Sequence, residues 1–128
     1  MQTVRTPAVA GLFYPADTAE LHNQVQHFLS QVEPPVEPPP KAIIAPHAGY
    51  VYSGPIAASA YARLKAARGT VARVVLLGPS HRVGFRGVAV SGMVAFETPL
   101  GRIPVDQEAV ELARQLPDVG FPEQAHAQ

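Results

Sequence analysis

The first periodic pattern in the chain follows Pro15, which closes a short apolar stretch. Asp17 is followed three residues later by Glu20, the spacing of a capping box, so a helix is predicted to begin there. Apolar residues then recur at steps of three and four along one helical face, at Leu21, Val25, Phe28, Leu29 and Val32. His22 and His27 lie off this stripe, and we expect both to be solvated.

A proline-rich segment separates this helix from the rest of the chain. Residues 33–40 cannot be helical, because proline has no amide proton and clashes with the preceding turn. The segment is therefore predicted to be an extended spacer, and a docking peptide for a partner protein is the alternative.

Two nearly continuous apolar runs, Lys41–Ala45 and Ala72–Leu77, follow the spacer. Runs without polar alternation are typical of parallel strands that are covered on both faces. The alanine-rich segment between them, from Ile56 to Ala67, begins after a Gly-Pro pair and ends before Gly69, which predicts a helix. Together they predict a strand, helix, strand unit whose crossover places the two strands parallel and adjacent.

The rest of the chain carries shorter signals. They predict a polar loop from Gly78 to Arg86 and then a short strand at Val88–Val90. A hairpin is predicted from Phe96 to Val105, with its turn at Thr98–Gly101. A last helix is predicted to begin at Asp106 and to end at Pro117, with apolar positions at Val110, Leu112, Ala113 and Leu116. Residues 118–128 show no periodicity. Strands that alternate with helices in this order predict an α/β fold.

Composition limits what such a chain can do. At 128 residues, with 47% hydrophobic and 16% charged residues, it has the size and balance of one globular domain. The chain has 10 Lys and Arg residues and 10 Asp and Glu residues, so it has no net charge that would attract it to nucleic acid or to a membrane surface. No segment reaches the ~18 consecutive apolar residues that a membrane span needs, and we expect a cytoplasmic protein. Because the chain has no cysteine, any metal bound by these residues has to use His, Asp or Glu.

Histidine follows both predicted strands: His47 comes after the first and His81 after the second. Because adjacent parallel strands end at the same edge of a sheet, about 4.8 Å apart, the two imidazoles are expected to meet there. Neutral imidazole is the commonest biological metal ligand, so the pair predicts a metal site. A third protein ligand is needed, and Glu97, Asp106 and His126 are the candidates in the sequence. The alternative is that each histidine only hydrogen-bonds a loop backbone.

Residues beside the histidines add candidate chemistry. Tyr50, Tyr52 and Ser80 are expected near the pocket, where a tyrosine could bind substrate or donate a proton. The alternative for each tyrosine is a buried ring whose hydroxyl is hydrogen-bonded. Arg82 and Arg86 could attract an anion, although loop arginines are usually solvated.

These motifs resemble a known family. The matching stretches are Ala10–Pro15, Pro46–Tyr50 with Tyr52–Gly54, Leu77–His81, Thr98–Gly101 and Val105-Asp106. In order and spacing they are similar to the paired signature of the Memo family, whose bacterial and archaeal members are called AmmeMemoRadiSam system protein B. The Pro-His-Ala-Gly-Tyr and Gly-Pro-Ser-His motifs together are specific, and the likeness spans nearly the whole chain.

The resemblance implies an α/β fold similar to that of the class III extradiol dioxygenases, which are non-haem iron enzymes. Three layers of helix, sheet and helix are expected, around a mixed, mostly parallel sheet. Those relatives hold iron with two histidines and a carboxylate, whereas Memo proteins are similar but use a cysteine as third ligand. His47 and His81 match the two histidines. Fe(II) is therefore the expected metal, with Zn or Cu as alternatives, and the third ligand is expected outside this chain.

Members of the family are considerably longer than this sequence. We therefore expect residues 1–128 to be the N-terminal part of a single Memo-like domain, either a fragment or a truncated protein whose site cannot close. Its partner would be the C-terminal half or a second copy of the chain.

Three functional hypotheses follow from the resemblance and the residues. The leading one is a metal-binding protein of dioxygenase ancestry with iron-dependent oxidation chemistry on an unidentified substrate. The first alternative is a non-catalytic module that binds a peptide or phosphorylated ligand in the same cleft, since animal members are linked to tyrosine-phosphorylated receptor peptides. The second alternative is a merely structural half-domain.

Overall fold

The chain forms short helices and strands in two compact units. The computed structural model describes residues 3–33, 35–120 and 122–126. In chain order the elements are β1 (Val4–Arg5), α1 (Thr18–Ser30), α2 (Tyr50–Tyr61), a 3-10 helix (Ala62–Ala67), β2 (Val88–Ala89), β3 (Ala95–Thr98), β4 (Gly101–Pro104), α3 (Gln107–Ala113), β5 (Val119–Gly120) and a second 3-10 helix (Glu123–His126). Val9–Val74 form the helical unit, and Met1–Ala8 with Val75–Gln128 form the strand unit. That both belong to a single domain stays a prediction.

α1 begins where the sequence predicts. The Asp17 carboxylate accepts a hydrogen bond of 2.8 Å from the backbone N–H of Glu20, which satisfies one of the donors at the start of the helix. Leu21, on the predicted apolar face, is only 3% exposed. His22 and His27 are exposed, as expected for residues off that face.

α1 and α2 pack against each other through small residues. Ser53, Gly54 and Ala58 are the buried positions of α2. Gly54 lies against the aromatic ring of Phe28, and a β-carbon at this glycine would lie 2.7 Å from Cζ of the ring. The missing side chain at Gly54 therefore sets how closely the two helices approach.

α2 starts earlier than predicted. We expected a helix over residues 56–67, after the Gly-Pro pair, but α2 begins at Tyr50 and the chain continues past its end as a 3-10 helix. Pro55 thus lies inside α2, where it removes one backbone donor. The Tyr50 N–H donates a hydrogen bond of 2.8 Å to the carbonyl of Phe13. This contact with a distant turn fixes the helix start ahead of the proline, and a local sequence pattern carries no sign of it.

The two predicted buried strands are not formed. Residues 41–45 and 72–77 have neither helix nor strand structure, and most of their side chains are exposed. Ile44 is 98% exposed and Leu76 is 78% exposed, where the pattern predicts burial on both faces. The strand prediction is therefore wrong for this structure. A strand needs hydrogen-bonding neighbours and covering layers, and neither segment belongs to a sheet within the described residues.

The proline-rich segment is irregular, as predicted. Its described residues, 33 and 35–40, contain neither helix nor strand, and Pro34 lies outside the described residues. The segment bends at Val36 and Glu37, so it is not the straight extended spacer that the prolines predict. Glu37 forms an exposed ion pair with Arg63 of the first 3-10 helix. An exposed pair of this kind stabilises little by itself, by roughly 0–1 kcal/mol.

The described strands form two small sheets, both in the strand unit beside α3. β1, β3 and β4 form a 3-stranded sheet in which β1 pairs parallel with β3, and β3 pairs antiparallel with β4 as the predicted hairpin. β2 pairs parallel with β5. The sequence pattern does not predict β1 or β5, because strands of 2 residues carry no periodicity. Helices with a mixed sheet and parallel strands confirm the α/β class, while the three-layer arrangement stays a prediction.

α3 begins at its predicted cap and is short. The Asp106 carboxylate accepts a hydrogen bond of 3.0 Å from the backbone N–H of Ala109. Leu112 and Leu116, at the predicted apolar positions, are both exposed. None of the helices in the described parts of the chain has the length and apolar character that crossing a bilayer requires.

The buried core is small. Among the described residues, Leu21, Ala58 and Ala62 are the apolar residues that are buried, and all three belong to the helical unit. A folded domain of this size normally buries roughly two thirds of the surface that its unfolded chain exposes. Because so few apolar side chains are buried here, each packing contact between α1 and α2 contributes a large share of the helical unit's stability.

Replacing Gly54 by Ala is expected to destabilise the helical unit. The new methyl group overlaps the Phe28 ring, at a cost of about 1–3 kcal/mol for overpacking. That cost outweighs the gain of up to about 1 kcal/mol that Ala brings to a helix interior. The midpoint of urea unfolding, followed by circular dichroism, should fall. Gly78→Ala is the matched control, because nothing lies within 4 Å of a β-carbon there. Equal midpoints for the two variants would contradict the close packing of α1 on α2.

Candidate metal centre

His47 lies in a short loop that leads into α2. Two hydrogen bonds fix the backbone that follows it: the Ser53 hydroxyl donates to the carbonyl of Ala48 at 2.6 Å, and the Tyr50 N–H donates to the carbonyl of Phe13 at 2.8 Å. Ser53 is buried, so its hydroxyl is satisfied inside the protein. The His47 side chain is exposed. An exposed imidazole on an anchored loop is within reach of an ion from solution.

Tyr50 and Tyr52 lie in different environments, although both belong to the first turn of α2. The Tyr50 ring is half-buried and lies against Tyr14, with ring centroids 5.6 Å apart. Burial raises the pKa of the Tyr50 hydroxyl above its ordinary value of 10.0, and the phenols of Tyr14 and Tyr61 raise it further. Tyr50 therefore keeps its proton at neutral pH and can donate a hydrogen bond. Tyr52 is 83% exposed.

A cleft of about 350 Å³ in the helical unit lies away from these residues. It is lined by Val32, Glu33, Pro35, Val36, Glu37, Ser59, Ala62 and Arg63. Neither His47 nor the tyrosines of α2's first turn line it. The cleft is therefore not the pocket that the sequence predicts beside the histidines.

His81 lies in the polar loop that follows residues 72–77. The Ser80 hydroxyl donates a hydrogen bond of 2.7 Å to the carbonyl of Val83, which closes a tight turn around His81 and Arg82. His81, Arg82 and Arg86 are exposed. Because Ser80 is engaged in this turn, its observed role is to shape the loop, and a role toward substrate stays a prediction.

The two histidines belong to different units. His47 is part of the helical unit and His81 is part of the strand unit. Their predicted meeting at one sheet edge depends on the two strands that are not formed. The pairing of the two imidazoles around one metal therefore stays a prediction.

Each candidate third ligand in this chain has another partner. Glu97 forms an ion pair with Arg102 at 2.9 Å, Asp106 caps α3, and Nε2 of His126 lies 3.2 Å from the carbonyl oxygen of Ala89. In the part of the chain that the structure describes, no group of three His, Cys, Asp or Glu side chains is arranged to hold a metal ion. His47 and His81 could supply two imidazole ligands, and a metal site would need a third ligand from outside this chain.

Sequence reasoning missed two anchoring side chains. Ser53 shapes the His47 loop, and a serine in the first turn of a helix is a recognisable signal for such a backbone contact. Arg5 donates from Nε to the carbonyl of His126 at 2.6 Å, and its guanidinium carbon lies 5.1 Å from the centre of the Phe96 ring. No local pattern could have found Arg5, because both of its partners are remote in sequence.

Comparison with known proteins agrees with the motifs. A family model described as Memo-like protein matches residues 5–128. A MEMO1 family protein of Aquifex aeolicus is 42% identical over 123 residues, which cover 96% of this chain and 44% of the relative. MEMO1 family protein MTH_45 of Methanothermobacter thermautotrophicus is 38% identical over 131 residues, which cover 96% of this chain and 47% of the relative. The chain thus spans about half the length of the curated relatives it matches. The match over residues 5–128 shows that this chain belongs to the Memo family.

Proposed function

We propose that this protein is a metal-binding member of the Memo family, of class III extradiol dioxygenase ancestry. His47 and His81 supply two of the ligands, and a third ligand completes the site from outside this chain. The metal of the proposal is Fe(II), with Zn or Cu as alternatives. The activity of the completed site is an iron-dependent oxidation of an unidentified small molecule.

The observation that carries the proposal is the pair of Pro-His and Pro-Ser-His motifs, each of which follows an apolar run. Both histidines are exposed and lie in loops rather than on a helix face. Their loops are shaped by buried or engaged hydroxyls, Ser53 in one and Ser80 in the other. Imidazole serves iron well in sites that combine two histidines with a third, anionic ligand.

In the proposed site, residues of this chain would bind and orient the substrate, while the metal would supply the reactivity. Fe(II) supplies a redox centre and a Lewis acid that can orient oxygen and an oxygenated substrate. Tyr50 holds its proton and is suited to donate a hydrogen bond. Tyr52 and Ser80 are proposed as further contacts to the substrate.

Zn(II), or Fe(II) without oxygen, should bind this chain weakly in a calorimetric titration. Two neutral donors without an anionic one offset little of the ion's hydration. In the domain completed by the unmatched part of the Aquifex aeolicus relative, replacing either His47 or His81 by Ala should lower the affinity by about tenfold or more, since the loss of even a ligand's supporting partner costs that much. His22→Ala, which removes an exposed histidine of α1, is the matched control and should leave the affinity unchanged.

Two results would count against this reading of the titration. Unchanged affinity in both loop variants would remove His47 and His81 as ligands. Tight, stoichiometric binding to the unmodified chain would show that a third ligand from outside is not needed.

A non-catalytic binding module is the second candidate function. It is supported by Arg82 and Arg86, two exposed arginines in the loop that carries His81, because guanidinium groups bind phosphate well. A tyrosine-phosphorylated peptide would then bind equally well with and without EDTA. The oxidation proposal instead predicts oxygen consumption by the completed domain, and His81→Ala should abolish it.

Tyr50 should make the folded state lose stability at high pH. Because its pKa is raised in the fold, its contribution is fully present below pH 10.0 and is lost as the pH rises through the folded-state value. The free energy of unfolding should fall across that window and should fall less in Tyr50→Phe. Tyr52→Phe, at an exposed position, is the control. The same fall in all three proteins would contradict the burial of the Tyr50 hydroxyl.

A further inference from the structure

A turn at residues 9–14 contacts the first turn of α2. The turn is closed by its own backbone: the Phe13 N–H donates a hydrogen bond of 2.9 Å to the carbonyl of Val9, and the Gly11 N–H donates one of 2.7 Å to the carbonyl of Tyr14. Gly11 has a φ of 80°, in the left-handed region that glycine adopts without strain. The turn is therefore a defined structure that presents its groups in fixed directions.

The turn meets the backbone that follows His47. The Tyr50 N–H, three residues after the histidine, donates a hydrogen bond of 2.8 Å to the Phe13 carbonyl. A β-carbon at Gly49 would lie 3.5 Å from the Phe13 carbonyl oxygen and 3.6 Å from its α-carbon, so the two backbones run close together. The Phe13 side chain is 49% exposed. The contact with the histidine loop is therefore made by the backbone of the turn.

A second contact joins the same two segments through side chains. The rings of Tyr14 and Tyr50 lie with centroids 5.6 Å apart and planes inclined at 43°. Aromatic pairs at this distance and tilt attract each other beyond the effect of burial alone. Burial of the turn's own apolar side chains does not explain the contact, because Leu12 is 80% exposed. One hydrogen bond and one ring pair thus hold the turn on the residue that starts α2.

The histidine loop is anchored from two sides. The Ser53 hydroxyl holds the carbonyl of Ala48 from within α2, and the turn holds Tyr50 from outside the helix. Without the turn, local sequence would start the helix later, after Pro55, and the backbone that leads from His47 into α2 would take another path. The direction of the His47 loop therefore depends on residues far away in sequence.

We propose that residues 9–14 position the His47 loop for metal binding, and that Tyr14 is a positioning residue that acts through Tyr50. The role rests on the proposed metal function of His47. Groups that support a metal ligand from behind contribute to affinity without touching the ion, because they limit the directions that the ligand can take. The turn does so through the loop backbone.

Hydrogen exchange of the Tyr50 amide, read by NMR on the chain, tests the anchor. Gly11→Ala should speed this exchange by about tenfold or more, because alanine is strained at a positive φ and the turn loosens. Gly69→Ala is the matched control, since Gly69 has a φ of 82° in the same unit and nothing lies within 4 Å of a β-carbon there. It should leave the Tyr50 amide protected.

Metal affinity tests the positioning role. In the domain completed by the unmatched part of the Aquifex aeolicus relative, Tyr14→Leu should lower the affinity for Zn(II) by about tenfold, because the ring pair is lost. Tyr14→Phe keeps the ring and should restore most of the affinity, which a merely destabilised fold would not do. Tyr61→Leu, at the other end of α2, is the control and should leave the affinity unchanged.

Three results would overturn the positioning role. The first is equal exchange of the Tyr50 amide in Gly11→Ala and Gly69→Ala. The second is an unchanged Zn(II) affinity in Tyr14→Leu, and the third is an equal loss in Tyr14→Phe. If Tyr14→Leu does not fold, the Zn(II) titration of Gly11→Ala against Gly69→Ala takes its place, and equal affinities there would overturn the role as well.

Failure of the positioning role differs from failure of the proposed function. If His47→Ala lowers the affinity and Tyr14→Leu does not, only the positioning role is refuted. If His47→Ala itself leaves the affinity unchanged, the metal function is refuted and the positioning role falls with it.

Discussion

A β-strand that is apolar on both faces is stable only when a neighbouring strand pairs with its backbone and a layer covers each face. Residues 41–45 and 72–77 have that composition, and they belong to neither of the sheets that the described residues form. The stability of the fold therefore comes from contacts among the other elements. The helical unit is held chiefly by the contact of α1 with α2 across Gly54, and the strand unit by a hairpin and two short parallel pairs.

The same constraint governs the candidate site. Local hydrogen bonds from Ser53 and Ser80 shape the loop that carries each histidine. Such bonds orient each loop within its own unit, and the predicted meeting of His47 and His81 has to come from another source. Only adjacent, like-directed strands can deliver both imidazoles to one edge. In the proposed metal site, both imidazoles would reach one ion only if residues 41–45 and 72–77 paired as strands.

Sequence reasoning succeeded where the signal is local. The caps at Asp17 and Asp106 and the hairpin of β3 and β4 depend on residues a few positions apart, and all three are present. It failed where the stabilising partner is distant. α2 starts early because the Tyr50 N–H bonds to the carbonyl of Phe13, and residues 72–77 do not form a strand although their composition is that of one. The histidine motifs and the family could be identified from the sequence. A third ligand could not, because Glu97, Asp106 and His126 each have other partners in the fold.

The central claim is that two imidazoles from separate loops share one metal ion. X-ray absorption spectroscopy of the chain, loaded with Zn(II) and combined with the unmatched half of the Aquifex aeolicus relative, measures this directly. Two imidazole nitrogens at about 2.0–2.1 Å from the metal are expected, with both lost when His47 and His81 are replaced together. A metal shell with no imidazole, or with one that persists in that double variant, would contradict the claim.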